Sequence, residues 1–267
     1  MLEIKHLCKT FNPHTINEHL VIDDLSLKVE DGDFITIIGS NGSGKSTLFN
    51  LIAGSLIADN GSIILNGQDI TLQKEHLRAH HIGRLFQDPL TGTAAHMTVS
   101  ENLALAAKSG GWLKLISQAD RQRFTQQLSQ LEMGLENCLD QPVGLLSGGQ
   151  RQALTLMMAT INPPQLLLLD EHTAALDPAS ADKVLEITNR IVAQQKLTCL
   201  MITHNMASAL QLGNRTIMMD KGRIILDLNR QQKKEMSVEQ LVEQFHRKTE
   251  RIFADDEMML ARQYARI

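Results

Sequence analysis

The sequence predicts an α/β fold built on a mixed, largely parallel sheet. Short unbroken apolar runs recur along the chain: "FITII" at 34–38, "QLLLLD" at 165–170 and "LTCLMIT" at 197–203. Such runs mark strands buried on both faces, as parallel strands are when helices cover them. Stretches of helical character separate the runs, and the first run leads directly into a glycine-rich loop and a helix. Apolar residues make up 43% of the 267, enough for a packed core and against disorder. Aromatics are only 3%, so that core falls to Leu, Ile, Val, Ala and twelve Met.

Taken in order, the chain opens with an alternation that sets Leu2, Ile4 and His6 on one face and Glu3 and Lys5 on the other. The stretch "LVIDDLSLKV" at 20–29 alternates toward its end. Both predict strands of an antiparallel N-terminal β subdomain with one face exposed. After "FITII" a helix is expected from Ser46 to about Ala53. Residues 88–160 break the rhythm and read as a helical subdomain inserted in the α/β core. Thr98-Val99-Ser100-Glu101 has the spacing of a capping box, and further helices are expected over 117–132 and 150–160. Asp177-Pro178 begins another, with Asp as N-cap and Pro in the first turn. From about 229 the polar "NRQQKKE" reads as a solvated linker. Two amphipathic helices near 237–247 and 255–265 follow it.

Net charge is −4, without the basic surplus of a nucleic-acid binder. The N-terminus lacks the apolar stretch of a signal peptide, and no run approaches the ~18 apolar residues that cross a bilayer. A cytoplasmic chain is expected. Cys8, Cys138 and Cys199 show neither disulfide nor metal spacing and read as small buried residues. His76, His80 and His81 lie in a polar stretch without matching ligands and read as a solvated surface.

The chemistry begins at Gly39-Ser40-Asn41-Gly42-Ser43-Gly44-Lys45-Ser46-Thr47. It matches G-x-x-x-x-G-K-[ST] between a buried strand and a helix. Its glycines let successive backbone N–H groups face one concavity at a helix N-terminus, an anion site. Lys45 reaches the β- and γ-phosphates, and the Ser46 hydroxyl ligates Mg²⁺. Asp170 stands at the end of a parallel strand, where it is delivered to the phosphate edge of the sheet. Glu171 follows. Strand neighbours point to opposite sides, so the two carboxylates divide the work: Asp170 holds Mg²⁺ through water, and Glu171 polarises the attacking water.

One segment is costly by local rules. Ser147-Gly148-Gly149-Gln150 has the spacing of a capping box, yet it starts a helix with two glycines, each about 1 kcal/mol worse than Ala inside a helix.

Together, "GSNGSGKST", Gln87 in "LFQDP", "LSGGQ" at 146–150, "LLLLDE" and His204 in "MITHN" fall in an order that resembles the ATP-binding cassette (ABC) ATPases, over about residues 1–228. The resemblance implies a P-loop NTPase domain over 1–228, with the helical subdomain at about 88–160 inserted in it, and a C-terminal helical extension at 229–267. It implies that Phe11 stacks on adenine; a core side chain is the alternative. It places Gln87 on Mg²⁺ and the attacking water, His204 on the γ-phosphate, and Glu171 as the catalytic carboxylate. Ser147, Gly148, Gly149 and Gln150 then meet ATP held by another subunit, and Asp177 belongs to the loop joining the two sites. The paired glycines thereby present bare N–H groups to a phosphate. His172 departs from the Pro found in many members and has no role in this reading.

The family further implies a head-to-tail dimer with a second ATPase subunit and a membrane permease docked near Gln87. The chain then sits at the inner face of the cell membrane. "QDPLTGTAAHMTVSENLALA" and "DEHTAALDP" are most similar to subunits of bacterial importers that work with an extracytoplasmic solute-binding protein. The expected cargo is a small solute of amino-acid type. An exporter or lipoprotein-release ATPase remains an alternative, and a non-transport ATPase acting on ribosome or DNA a more remote one.

Overall fold

A computed structural model describes residues 1–107 and 116–248. The helix expected at 255–265 lies outside them. Strand β1 (Leu2–Phe11) pairs antiparallel with β2 (His19–Val29) and β4 (Asn60–Leu65), and a two-residue β5 (Gln68–Asp69) completes a four-stranded sheet in the order β2-β1-β4-β5. The alternation of β1 stops at Ile4. A bulge between Ile4 and Leu7 turns His6 outward at φ +48° and buries Leu7 instead, so His6 does not share the face of Leu2 and Ile4.

The second sheet has six strands: β3 (Phe34–Gly39), β6 (Ile82–Leu85), β7 (Leu166–Asp170), β8 (Cys199–Ile202), β9 (Arg215–Asp220) and β10 (Arg223–Leu228). They lie in the order β10-β9-β3-β8-β7-β6, all parallel except the β10 edge. The unbroken apolar runs follow from what lies on each side. Leu166 and Leu168 enter the core under helix α1 (Lys45–Ala53) and the antiparallel sheet, whereas Leu167 and Leu169 enter the core under the helices. In β8, Leu200 and Ile202 divide from Cys199 and Met201 in the same way.

The inserted helices are α3 (Val99–Ala106), α4 (Gln118–Ser129) and α5 (Gly148–Thr160), after a short α2 (Glu75–Arg78). The capping box at Thr98 is present, with Glu101 closing it, and Ser117 caps α4 likewise. Val99, Leu103, Phe124 and Leu154 pack with Leu167 and Leu169, so the insert shares a core with the sheet. Helix α6 (Pro178–Gln195) starts as the sequence predicts: Asp177 accepts from the Ser180 N–H, and Pro178 occupies the first turn.

After α7 (Met206–Gln211), the sequence reading and the structure part at the polar run. "RQQKKE" is solvated as expected, except at Lys233, but it is helix α8 (Arg230–Glu235), capped by Asn229, rather than a linker. Lys233 is buried, and its Nζ donates to the carbonyls of Ala209 at 2.8 Å and Leu212 at 2.6 Å, at the C-terminal end of α7. A cation at a helix C-terminus meets the last carbonyls and the negative end of the dipole, which offsets part of the cost of burying the ammonium. Residues 238–248 form a further helix whose Leu241 packs with Leu228, Ala209, Met218 and Ile38. Residues 229–248 thus pack back on the core of the parallel sheet through Lys233 and Leu241.

Candidate functional site

The site starts where β3 ends. Gly39 has φ +154°, and a Cβ there would stand 2.2 Å from the Met219 carbonyl oxygen. No other residue fits, which lets the loop turn tightly off the strand. Gly44, at φ +97°, precedes α1 without any side-chain cap, so the first N–H groups of that helix remain open to a ligand. Lys45 is buried and folds back on its own loop, its Nζ donating to the carbonyls of Gly39 at 2.9 Å and Ser40 at 2.8 Å. Burial lowers its pKa, and nearby Glu171 and Asp170 oppose that shift.

Residues 41–47 form the floor of a groove of about 420 Å³. Glu171 stands on one side and His19 and Val21 of β2 on the other. His19 was not singled out from the sequence, although its period-two spacing with Val21 puts both on one face of β2. Phe11 does not line the groove; it is half-buried and pairs across the strands with His19.

Asp170 ends β7 beside β8, hydrogen-bonded to Ser46 and 3.8 Å from the Arg84 guanidinium. Burial pushes its carboxyl above the ordinary carboxylate value, against the pull of Arg84, Ser46 and Lys45. Arg84, on β6, is a second residue that sequence reasoning missed. It donates to Asn50 at 2.7 Å and stacks 4.6 Å from the Phe86 ring. Glu171 leaves the strand at φ +47°, in the left-handed region. Its Oε1 lies 2.5 Å from Nε2 of His204, just beyond β8. The structure thus gathers Lys45, Ser46, Asp170, Glu171 and His204 at one edge of the sheet.

The remaining predicted residues lie apart from the groove. Gln87 is exposed directly after β6, beside a second groove of about 210 Å³ whose wall includes Phe86, Pro89, Ala106, Thr155 and Met158. Ser147 and Gly148 are exposed at the start of α5, with the capping box in place. Gln150 uses its side chain within the chain: Oε1 accepts from the Ser147 N–H, and Nε2 donates to the Met133 carbonyl. The Asp177 carboxylate is the cap of α6.

The sequence model of the ABC transporter family matches residues 22–174. The chain belongs to the ABC transporter family. It is the ATP-binding subunit of such a transporter, an ATPase. A tyrosine transport ATP-binding protein of Clostridioides difficile (strain R20291) is 44% identical over 248 residues, 92% of this chain and 98% of that one. The thiamine import ATP-binding protein ThiQ of Yersinia pestis is 38% identical over 201 residues, 75% of this chain and 81% of that one. Among solved structures, the ADP conformation of the ATP-binding cassette MJ1267 matches with TM-score 0.72 and 28% identity, over 88% of this chain and 93% of that one. The dimeric cassette MJ0796 bound to ADP and Pi shares the fold, with TM-score 0.73 over 86% of this chain and 99% of that one, at 24% identity. No helix of this ABC ATPase is long and apolar enough to cross a membrane among the described residues.

Proposed function

We propose that this ATPase powers bacterial import of a small solute of amino-acid type through a separate permease. An extracytoplasmic binding protein serves the same system, and the ATPase subunit rides on the inner face of the membrane. The observation that carries the solute class is the near end-to-end match to a protein named for tyrosine transport.

The triphosphate lies on the open N–H groups of 41–47. When it arrives, Lys45 exchanges its own loop carbonyls for phosphate oxygens. Asp170 and the Ser46 hydroxyl are adjacent hard oxygen donors and would hold Mg²⁺; Gln87 stands outside the groove and would join them only by moving toward it. Bound there, Mg²⁺ supplies charge neutralisation for the leaving phosphate oxygens. Glu171 takes the proton of the attacking water, and His204 orients toward the γ-phosphate. Phe11 and the β2 wall receive the base.

The signature supports a site made across two subunits. Ser147 and Gly148 face outward and do not line the groove of their own chain. The working unit is then a head-to-tail dimer, probed by ATP-dependent sedimentation, in which Gly148 and Asp177 meet the partner's nucleotide while Gly149 lets α5 pack on α6.

Glu171→Gln tests the catalytic assignment. Loss of general-base assistance lowers turnover by about 10²–10⁴ while ATP still binds and the ATP-bound dimer accumulates. Wild-type turnover in that variant assigns the base elsewhere. Uptake of labelled tyrosine and other amino acids by vesicles carrying the whole transporter tests the cargo, and uptake of none of them overturns it.

A further inference from the structure

His172 is a residue that the catalytic reading leaves without work. It is 2% exposed, and its Nε2 lies 3.1 Å from Oγ1 of Thr188 on α6, itself buried. Thr188 donates its hydroxyl hydrogen to the Val184 carbonyl at 2.8 Å. A hydroxyl has one hydrogen, so toward His172 it can only accept. The imidazole therefore carries its proton on Nε2 and donates to α6.

A satisfied core histidine is common anywhere in a protein. This one directly follows Glu171, whose φ of +47° is a strained conformation for a residue with a Cβ. Such a conformation persists only where its surroundings hold it. The Glu171 N–H donates to the Ile202 carbonyl at 3.1 Å, and its own carbonyl accepts from Ala174 at 2.9 Å. The next side chain along is fastened to α6. Glu171 is thus clamped on both sides at the point where the chain leaves β7, with its carboxylate at the groove and against His204. Without the α6 anchor one of these restraints is lost, and residue 171 relaxes more readily toward the extended conformation that continues the strand, which carries the carboxylate away.

We infer that His172 is a positioning residue for Glu171, acting through its Nε2–H bond to Thr188. The inference rests on Glu171 as the general base.

The test uses the full-length chain and compares Thr188→Val, Thr188→Ser, Glu171→Gln and the double variant Glu171→Gln/Thr188→Val. Thr188→Val removes the acceptor at nearly constant shape. Its kcat falls about tenfold with ATP affinity unchanged, Thr188→Ser restores turnover, and Thr188→Val adds nothing in the Glu171→Gln background. An unchanged kcat in Thr188→Val overturns the inference. So does a loss that persists undiminished in the Glu171→Gln background, or one matched by an equal loss of nucleotide affinity. The underlying reading fails separately, if Glu171→Gln itself turns over normally. Should Thr188→Val not fold, His172→Gln and His172→Met put the same question at similar side-chain size, because only Gln keeps an N–H donor. A kcat several-fold higher for Gln supports the inference, and equal values overturn it.

Discussion

Gly149 and Ser180 lie so close that a Cβ on the glycine would stand 3.0 Å from both Cβ and Oγ of the serine. Gly149 is buried in that contact between α5 and α6, whereas its neighbour Gly148 is exposed and meets only the flexible end of Leu176, at 3.1 Å. The two glycines that open α5 are therefore there for different reasons. Close helix packing within the chain requires Gly149; the proposed contact with a partner's phosphate would account for Gly148.

The two positions respond differently to substitution. Gly149→Ala overpacks the α5–α6 contact and destabilises the isolated chain by about 1–3 kcal/mol, read by denaturant unfolding. Gly148→Asp leaves monomer stability and nucleotide binding intact and abolishes the ATP-dependent dimer, read by sedimentation. Normal dimers of Gly148→Asp with ATP would count against a site shared between subunits.

Lys233 gives a pH dependence with a definite sign. Burial holds its ammonium at about 8, below the ordinary 10.5. Between those values the unfolded chain binds more protons than the folded one, so this position's contribution to stability rises with pH. Urea unfolding of wild type and Lys233→Met, at neutral pH and at about pH 9.5, should show the difference shifting in favour of wild type. A difference independent of pH means that the ammonium titrates as it does in water.

The proposed seat of the base is the β2 wall of the groove. Phe11 and His19 are cross-strand partners, so their rings share a face. Phe11→Ala and His19→Ala are each expected to weaken ATP binding, by up to the 1–3 kcal/mol that alanine substitution of a base-stacking ring typically costs, read with a fluorescent nucleotide. A silent Phe11→Ala beside a weakened His19→Ala puts the base on β2 alone.

Filling the smaller groove separates docking from hydrolysis. Ala106→Trp occupies the hollow of about 210 Å³ beside Gln87. The variant should hydrolyse ATP in solution as wild type does and fail to co-purify with the permease from membranes. Retained co-purification moves the permease contact off this face.

Much of the site was legible because its chemistry is contiguous. The strand, the glycine loop and the helix that follows it are one stretch of chain, and Gly39 and Gly44 adopt backbone angles that their sequence context calls for. Asp170 and Glu171 were placed by the end of an apolar strand, and the caps at Thr98, Ser147 and Asp177 by spacings of three residues. Arg84, His19 and Thr188 were not legible, because each acts on a residue far along the chain. The misread "QQKKE" run has the same cause: its composition is that of a solvated segment, and only the carbonyls of Ala209 and Leu212 draw Lys233 inside.

By itself, then, the sequence determined the phosphate loop, the acid pair, the helix starts and the family. These depend on the backbone preferences and spacing of neighbouring residues. The tertiary structure alone decided that Gly149 is a packing glycine, that His6 turns outward at a bulge, that α8 caps α7, and that His172 is fastened to α6. Each of these depends on which distant groups are brought within a few ångströms, and no local pattern encodes that proximity.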